Sequence, residues 1–246
     1  MLRVLTYNVR RCLGLDGDVS VPRIASVIAS CRPDIIALQE LDVRRARSFG
    51  VDQAQEIARE LDMKHVHFHP ALKVMEEEYG DAIITAAPSC LIKAGPLPGM
   101  TRRPRLEPRG ALWVRIAFGG RSFDIVNTHL GLGPAERRAQ AAALLGPAWL
   151  GTEASETPAI LLGDFNSLPG GRVYRRLSGR FRDAYRIAGR RAGPRCTFMS
   201  RLPMLRLDYI FVDRVLSVDR IETVSTPLAR VASDHLPLVA DIAVAN

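Results

Sequence analysis

Ala159-Ile160-Leu161-Leu162-Gly163-Asp164-Phe165-Asn166-Ser167 reads as a buried strand that runs straight into a carboxylate and a carboxamide two residues apart. Because side chains alternate along a strand, residues two apart share a side, and an Asp and Asn so placed can hold a water between them. The same grammar recurs outward in both directions. Tyr7-Asn8 and Gln39-Glu40 lie near the start, Asn127-Thr128-His129 in mid-chain and Ser233-Asp234-His235 near the end. Each closes or interrupts an apolar, strand-like segment. Five such strand ends can pool their polar groups at one edge of a sheet core, which is how hydrolytic sites are commonly assembled. Asn-Thr-His-Leu and Ser-Asp-His-Leu are also analogous to each other, so two related sheet halves facing one another would bring His129 and His235 together.

Periodicity supplies the frame around these blocks. A strand is expected over 2–9 and a buried one over 34–40. A helix is expected over 18–31, where Val21, Ile24, Val27 and Ile28 keep helical spacing, and a second over 51–61. Short strands follow at 64–68, 81–86 and 90–93. Strands 110–118 and 122–127 flank Gly119-Gly120, a hairpin signal, and Pro134 opens a helix. The Arg-rich stretch 170–195 reads as irregular apart from a short helix near 181–188. Strands resume at 207–212, 218–224 and 235–244.

At 246 residues, 47% apolar and 24% charged, the chain can bury one large core, and a single domain over 1–246 is the expectation. No basic leader with an apolar core opens it, and no apolar run nears the roughly 20 residues a bilayer demands. Cys12, Cys31, Cys90 and Cys196 lack paired spacing and read as reduced thiols in a cytoplasmic protein. A net charge of +8 favours polyanionic partners: nucleic acid, phosphorylated small molecules or an anionic membrane surface. The bias of Arg over Lys with much Ala and Gly has a compositional reading as well.

Each block also has a plain structural reading. Asp164 and Asn166 alone suit a turn, Asp208 a strand cap, and Asp234 a strand start. His65, His67 and His69 share one face of an extended segment, but without thiol or carboxylate company they read as a half-exposed strand face, not a zinc site. Arg102, Arg103, Arg105 and Arg109 are candidates for a phosphate clamp. Among them Arg109, where a Pro-rich loop enters a strand, is best placed to aim inward at substrate. The arginines of 172–195 could track a nucleic-acid backbone, with Tyr174, Phe181 and Tyr185 as sparse stacking partners.

Taken in order, Tyr7-Asn8, Gln39-Glu40, Tyr79-Gly80-Asp81-Ala82-Ile83, Asn127-Thr128-His129-Leu130, Gly163-Asp164-Phe165-Asn166, Leu207-Asp208-Tyr209-Ile210 and Ser233-Asp234-His235 resemble the endonuclease/exonuclease/phosphatase superfamily across essentially the whole chain. The resemblance implies the deoxyribonuclease-I-like fold, an α/β four-layer sandwich of two packed, mostly antiparallel sheets flanked by helices. It implies that Glu40 is the principal ligand of a catalytic Mg²⁺, with Mn²⁺ as a substitute, and that Asn8 and Asp234 lie close to the metal or its waters. It makes Asp164 the residue that orients or deprotonates the attacking water and Asn166 the holder of that water or of a phosphate oxygen. His235, oriented by Asp208, and His129, partnered by Asp81, become phosphate-side imidazoles. Members acting on abasic DNA usually carry Tyr in place of His129, and the inositol polyphosphate branch typically shows a Trp and an Asp-Arg pair near the Asp208 block, so both branches recede.

The expected activity is therefore one-step hydrolysis of a phosphodiester by in-line attack of water, with no covalent enzyme intermediate. Nucleic acid is the leading substrate class, and a lipid or small-molecule phosphodiester is the alternative. For a lipid substrate the loop 94–100, with Leu97, Pro98 and Met100, is the candidate apolar contact. A non-catalytic adaptor of the same fold would require this constellation to have decayed, yet every member is present. The chain is expected to act as a monomer.

Overall fold

Runs such as Ile35-Ile36-Ala37-Leu38 and Ile160-Leu161-Leu162 carry apolar groups on consecutive residues, which suits strands covered on both faces. The computed structural model, in which residues 1–99, 106–151 and 157–244 are described, places both runs at sheet centres. The strands are β1 (Leu2–Asn8), β2 (Ile35–Val43), β3 (His65–Val74), β4 (Glu77–Thr85), β5 (Ser89–Pro96), β6 (Gly110–Phe118), β7 (Arg121–His129), β8 (Ala159–Asp164), β9 (Arg182–Asp183), β10 (Asp208–Val212), β11 (Leu216–Thr223) and β12 (Leu238–Val244). The helices are α1 (Val21–Cys31), α2 (Gln53–Glu60), α3 (Pro134–Leu144), α4 (Arg172–Arg180), α5 (Ala184–Ala188) and α6 (Ala229–Ala232).

Two six-stranded sheets result, ordered β11-β12-β1-β2-β4-β3 and β5-β6-β7-β8-β10-β9. Each is antiparallel except for one central parallel pair, β1 with β2 and β7 with β8, connected through α1 and α3 respectively. Leu2, Val4, Ile35, Ala37, Ile125, Ile160, Leu162 and Ile210 form the core between the sheets. Leu5, Tyr7, Ile36 and Leu38 pack outward with residues of α1, α2 and α6, while Val126, Leu161, Tyr209 and Phe211 pack outward with residues of α3 and α4. The order is thus helices, sheet, sheet, helices: the expected four-layer sandwich.

Strand alternation has a direct consequence for the polar residues. Continuing the inward face of each strand by twos leads from Val4 to Asn8, from Ala37 to Gln39, from Ile125 to Asn127 and His129, from Leu162 to Asp164 and back from Ile210 to Asp208. All of them therefore face the intersheet space near one edge. Registers agree, with Asn8 opposite Gln39 and Asp164 opposite both His129 and Asp208.

Three expectations are corrected. The 170–195 stretch holds helix α4, anchored by buried Val173 and Leu177, while Arg172, Arg175 and Arg176 occupy its wet side. The density of Arg hid the i, i+4 anchor pair. The last strand begins at Leu238, so His235 stands on the segment leading into it. Strand β2 does not stop at Glu40 but continues to Val43 past an irregularity.

Candidate active site

Two backbone departures aim the site's side chains. Glu40 has φ 62°, where the β2–β4 register shifts between Leu38 and Leu41, so its half-exposed carboxylate leaves the strand alternation. Asn166 has φ 47° just beyond β8, and its backbone N–H donates to Asp164 Oδ1 at 2.8 Å. Asp164 and Asn166 do converge, but through this Asx-type turn and not through the strand period, because the strand ends at Asp164.

Asp164 is the hub. Its Oδ2 accepts from Asn8 Nδ2 at 3.1 Å and lies 3.5 Å from His129 Nε2 and 3.6 Å from His235 Nε2. His235 Nδ1 donates to Asp208 Oδ2 at 2.8 Å. Asn166 Nδ2 donates to the Leu130 carbonyl at 2.9 Å and stands 3.1 Å from His129 Nε2. Every one of these expected residues is therefore in a single cluster, and the two histidines meet across Asp164.

Burial and charge divide the roles of the titratable groups. Burial pushes the Asp164 carboxyl up to about 7, Asp208 adds to the rise, and His235 pulls against it. Burial disfavours the His235 cation, but Asp208, Asp164 and Asp234 together outweigh it and raise the imidazole to about 10. His129 goes the other way: burial, then the positive charges of Arg109 and His235, hold it well below the usual imidazole range. At neutral pH one histidine is a cation and the other is neutral.

His129 does not use Asp81 as its bonding partner. Its Nδ1 lies 3.0 Å from Arg109 Nη1, and the same Arg109 nitrogen bonds Glu107 Oε1 at 2.5 Å. Arg109 is 8% exposed, so it aims inward as expected but lies against His129. Asp81 is buried beside Glu40; burial lifts its carboxyl to about 8 against the pull of Arg109 and of the Glu40 backbone N–H. Arg102, Arg103 and Arg105 lie outside the described residues. His67 bonds Ser89, and among the described residues the three strand histidines do not group as metal ligands.

Two sets of groups invite a cation. Glu40 Oε1 accepts from Asn8 Nδ2 at 3.0 Å; Asn8 Oδ1 accepts from the Arg10 backbone N–H, and Arg10 pairs with Asp234 at 3.6 Å. Glu40 and Asp234 are both partly exposed, leaving room for waters and a phosphate, and their oxygen donors suit Mg²⁺. Ligand atoms of Asp164, Asp208 and His235 also lie within 4.8 Å of one another, all buried. There, however, all three residues are buried, and His235 Nδ1 is already engaged by Asp208 Oδ2 at 2.8 Å. The carboxylate oxygens of Glu40 and Asp234, with Asn8 bonded to Glu40, have the chemistry that fits a hard divalent ion.

Some supporting residues carry no sequence signal. Thr197 Oγ1 accepts from the backbone N–H of Asp208 at 3.3 Å, and the Phe198 ring lies 4.9 Å from that of His235. Behind Asp208, the buried Arg206 bonds Asp183 at 2.5 Å and sits between the rings of Tyr185 and Tyr209, 4.4 and 4.3 Å from their centroids. These contacts join segments of no particular periodicity, and only the fold brings them together.

The architecture has counterparts among known proteins. The chain is 33% identical to the uncharacterised protein YbhP of Escherichia coli over 98% of this chain and 95% of that one. It superposes on a mannosyl-6-phosphatase of Bacteroides thetaiotaomicron with TM-score 0.79 at 21% identity, covering 99% of this chain and 100% of that chain. The catalytic domain of human Nocturnin, solved with a bound sulfate anion, gives TM-score 0.72 at 25% identity over 99% of this chain and 94% of that one. Residues 5–235 match the model of the endonuclease/exonuclease/phosphatase family, and they span every strand end described above: the chain belongs to that family.

Proposed function

We propose that the protein is a Mg²⁺-dependent phosphoesterase that hydrolyses a phosphodiester by in-line attack of water, with Mn²⁺ able to substitute. The observation that carries this reading is the donor pattern around Asp164. A guanidinium is always protonated, so His129 Nδ1 must accept from Arg109, and its proton sits on Nε2. That N–H lies 3.5 Å from Asp164 Oδ2 and 3.1 Å from the Asn166 Nδ2 donor, so two N–H groups stand together where an anionic oxygen could accept from both. The His235 cation adds a third N–H. Such a nest suits the oxygens of a phosphoryl group as negative charge develops on them. The related Nocturnin domain holds a sulfate, a tetrahedral oxyanion of the same shape.

Asp164 serves as the base. Its pKa near neutrality matches the task of taking a proton from water as the water oxygen bonds to phosphorus and the bond to the leaving oxygen breaks. Asn8 and the Asn166 turn fix the carboxylate, and Asp208 keeps His235 charged and oriented. A divalent ion bound at Glu40, Asn8 and Asp234 would polarise a phosphoryl oxygen and offset charge on the leaving group. The intact constellation argues against a non-catalytic adaptor.

On substrate class, the aromatic support for a nucleic-acid platform weakens. Phe181 and Tyr185 are buried in the core, so they cannot stack on bases. The test uses a bis-aryl phosphodiester and supercoiled plasmid with native protein and Asp164→Asn. Chelation by EDTA and the substitution should each lower kcat by about 10³-fold on whichever diester is cleaved. Activity that survives both treatments would remove the basis for this mechanism.

A further inference from the structure

We infer that the hairpin around residues 197–206 is a docking device that seats the site on an anionic lipid surface, so that the phosphodiester is one carried by a lipid. This rests on the phosphoesterase reading and adds the substrate class to it. The apolar contact expected at 94–100 is not the one the fold presents: Leu97 is buried, and Met100 lies outside the described residues. Instead, Met199, Leu202, Met204 and Leu205 are 47%, 67%, 62% and 39% exposed, four large apolar side chains within seven residues. Large apolar groups concentrated on one loop tip mark a contact surface, whereas scattered ones do not.

The tip is held rigidly. Phe198 N–H donates to the Leu205 carbonyl at 3.0 Å, Leu205 N–H returns a bond to the Phe198 carbonyl at 2.7 Å, and Met204 N–H donates to Phe198 as well. Its exposure is thus built into a hydrogen-bonded hairpin. The same hairpin is stapled to the site. Ser200 N–H donates to the Asp234 carbonyl at 2.8 Å, Ser200 Oγ to the Ser233 carbonyl at 2.6 Å, and the Phe198 ring rests on His235. Leu168, also exposed, follows Ser167, whose carbonyl accepts from the Tyr209 hydroxyl that also reaches the Arg206 carbonyl.

Charge selects the occupant. Residues 184–207 hold six arginines and neither Asp nor Glu; Arg206 is buried on Asp183 and Arg191 pairs with Asp219, which leaves Arg186, Arg190, Arg195 and Arg201 as exposed charges. Arg195 and Arg201 are exposed on this segment, and Arg230 is exposed beside it, its carbonyl accepting from Ser200 Oγ. An apolar tip inside a basic collar is complementary to an anionic bilayer, where acyl chains receive the tip and headgroups receive the arginines. A duplex nucleic acid would use the collar but would leave the apolar tip in water.

Co-sedimentation of the native protein with vesicles of equal parts phosphatidylcholine and phosphatidylglycerol tests this, alongside phosphatidylcholine alone and the double variant Leu202→Ser, Met204→Ser. The native protein should partition onto the anionic vesicles, and the variant should bind them at least about tenfold more weakly with an unchanged melting temperature. Native protein that stays in the supernatant, or a variant that sediments equally well, overturns the inference. So does binding to a duplex oligonucleotide without binding to vesicles. Asp164→Asn should sediment like the native protein, so vesicle binding and the catalytic reading succeed or fail separately.

Discussion

Asp164 and His235 carry opposite requirements on one proton balance. Below about 7 the Asp164 carboxyl is protonated and cannot take a proton from water; above about 10 His235 loses the charge that offsets the phosphoryl oxygens. Activity should therefore rise with pH through about 7 and fall through about 10, read as kcat/KM on the aryl diester. Asp208 is the strongest of the groups that raise His235, and burial alone would lower it. Asp208→Asn should accordingly move the alkaline limb to lower pH by roughly one unit or more while leaving the acid limb above the ordinary carboxylate range. An alkaline limb that stays in place would show that His235 does not set it.

Among the elements, β8 tolerates little change at its end. Gly163 has φ 140°, and a Cβ there would overlap the Thr128 backbone carbonyl of β7. The tight approach is what brings His129 and Asp164 into register. Gly163→Ala combines backbone strain with overpacking and should cost about 3 kcal/mol or more. In a protein of this size that is a fall in Tm of roughly 10 °C, measurable by circular dichroism. An unchanged Tm would mean that the two strands can separate without penalty. The irregularity in β2 at Glu40 is the counterpart in the other sheet, a local break that turns one carboxylate out of a buried strand.

In the whole molecule, the two sheets are bolted together by polar groups close to the site. Gln39 Nε2 of one sheet donates to Asn127 Oδ1 of the other at 2.8 Å, and Asn127 Nδ2 donates to the Leu38 and Ala82 carbonyls at 2.8 and 2.9 Å. All of this is buried, so the bolt sets how the halves face one another. Asn127→Leu leaves both carbonyls and the Gln39 amide short of partners and should cost about 3 kcal/mol in urea unfolding. Adding Gln39→Leu should cost less than the sum of the two single changes, since the partners are lost together. Strict additivity would sink the view that they act as one unit.

Much of this was legible before folding, and the line falls where local chemistry ends. The ordered polar blocks pointed to a shared cluster, and the family resemblance they carry implied the places of Asn8, Glu40, His129, Asp164, Asn166, Asp208 and His235 in it and two stacked sheets with helices outside. Helix α4 escaped notice because two buried anchors among many arginines leave a weak periodic signal. His129 pairs with Arg109 and not with Asp81, a choice that depends on where a loop lets a guanidinium enter and not on spacing. The stapling of Thr197, Phe198 and Ser200 to Asp208, His235 and Asp234 was invisible for the same reason. By itself the sequence determined which chemical groups exist and which strand faces carry them, because side-chain alternation is a property of the local backbone. Only the tertiary structure decided which histidine is a charged donor and which a neutral one, because burial and neighbouring charge are set by residues far apart in the chain.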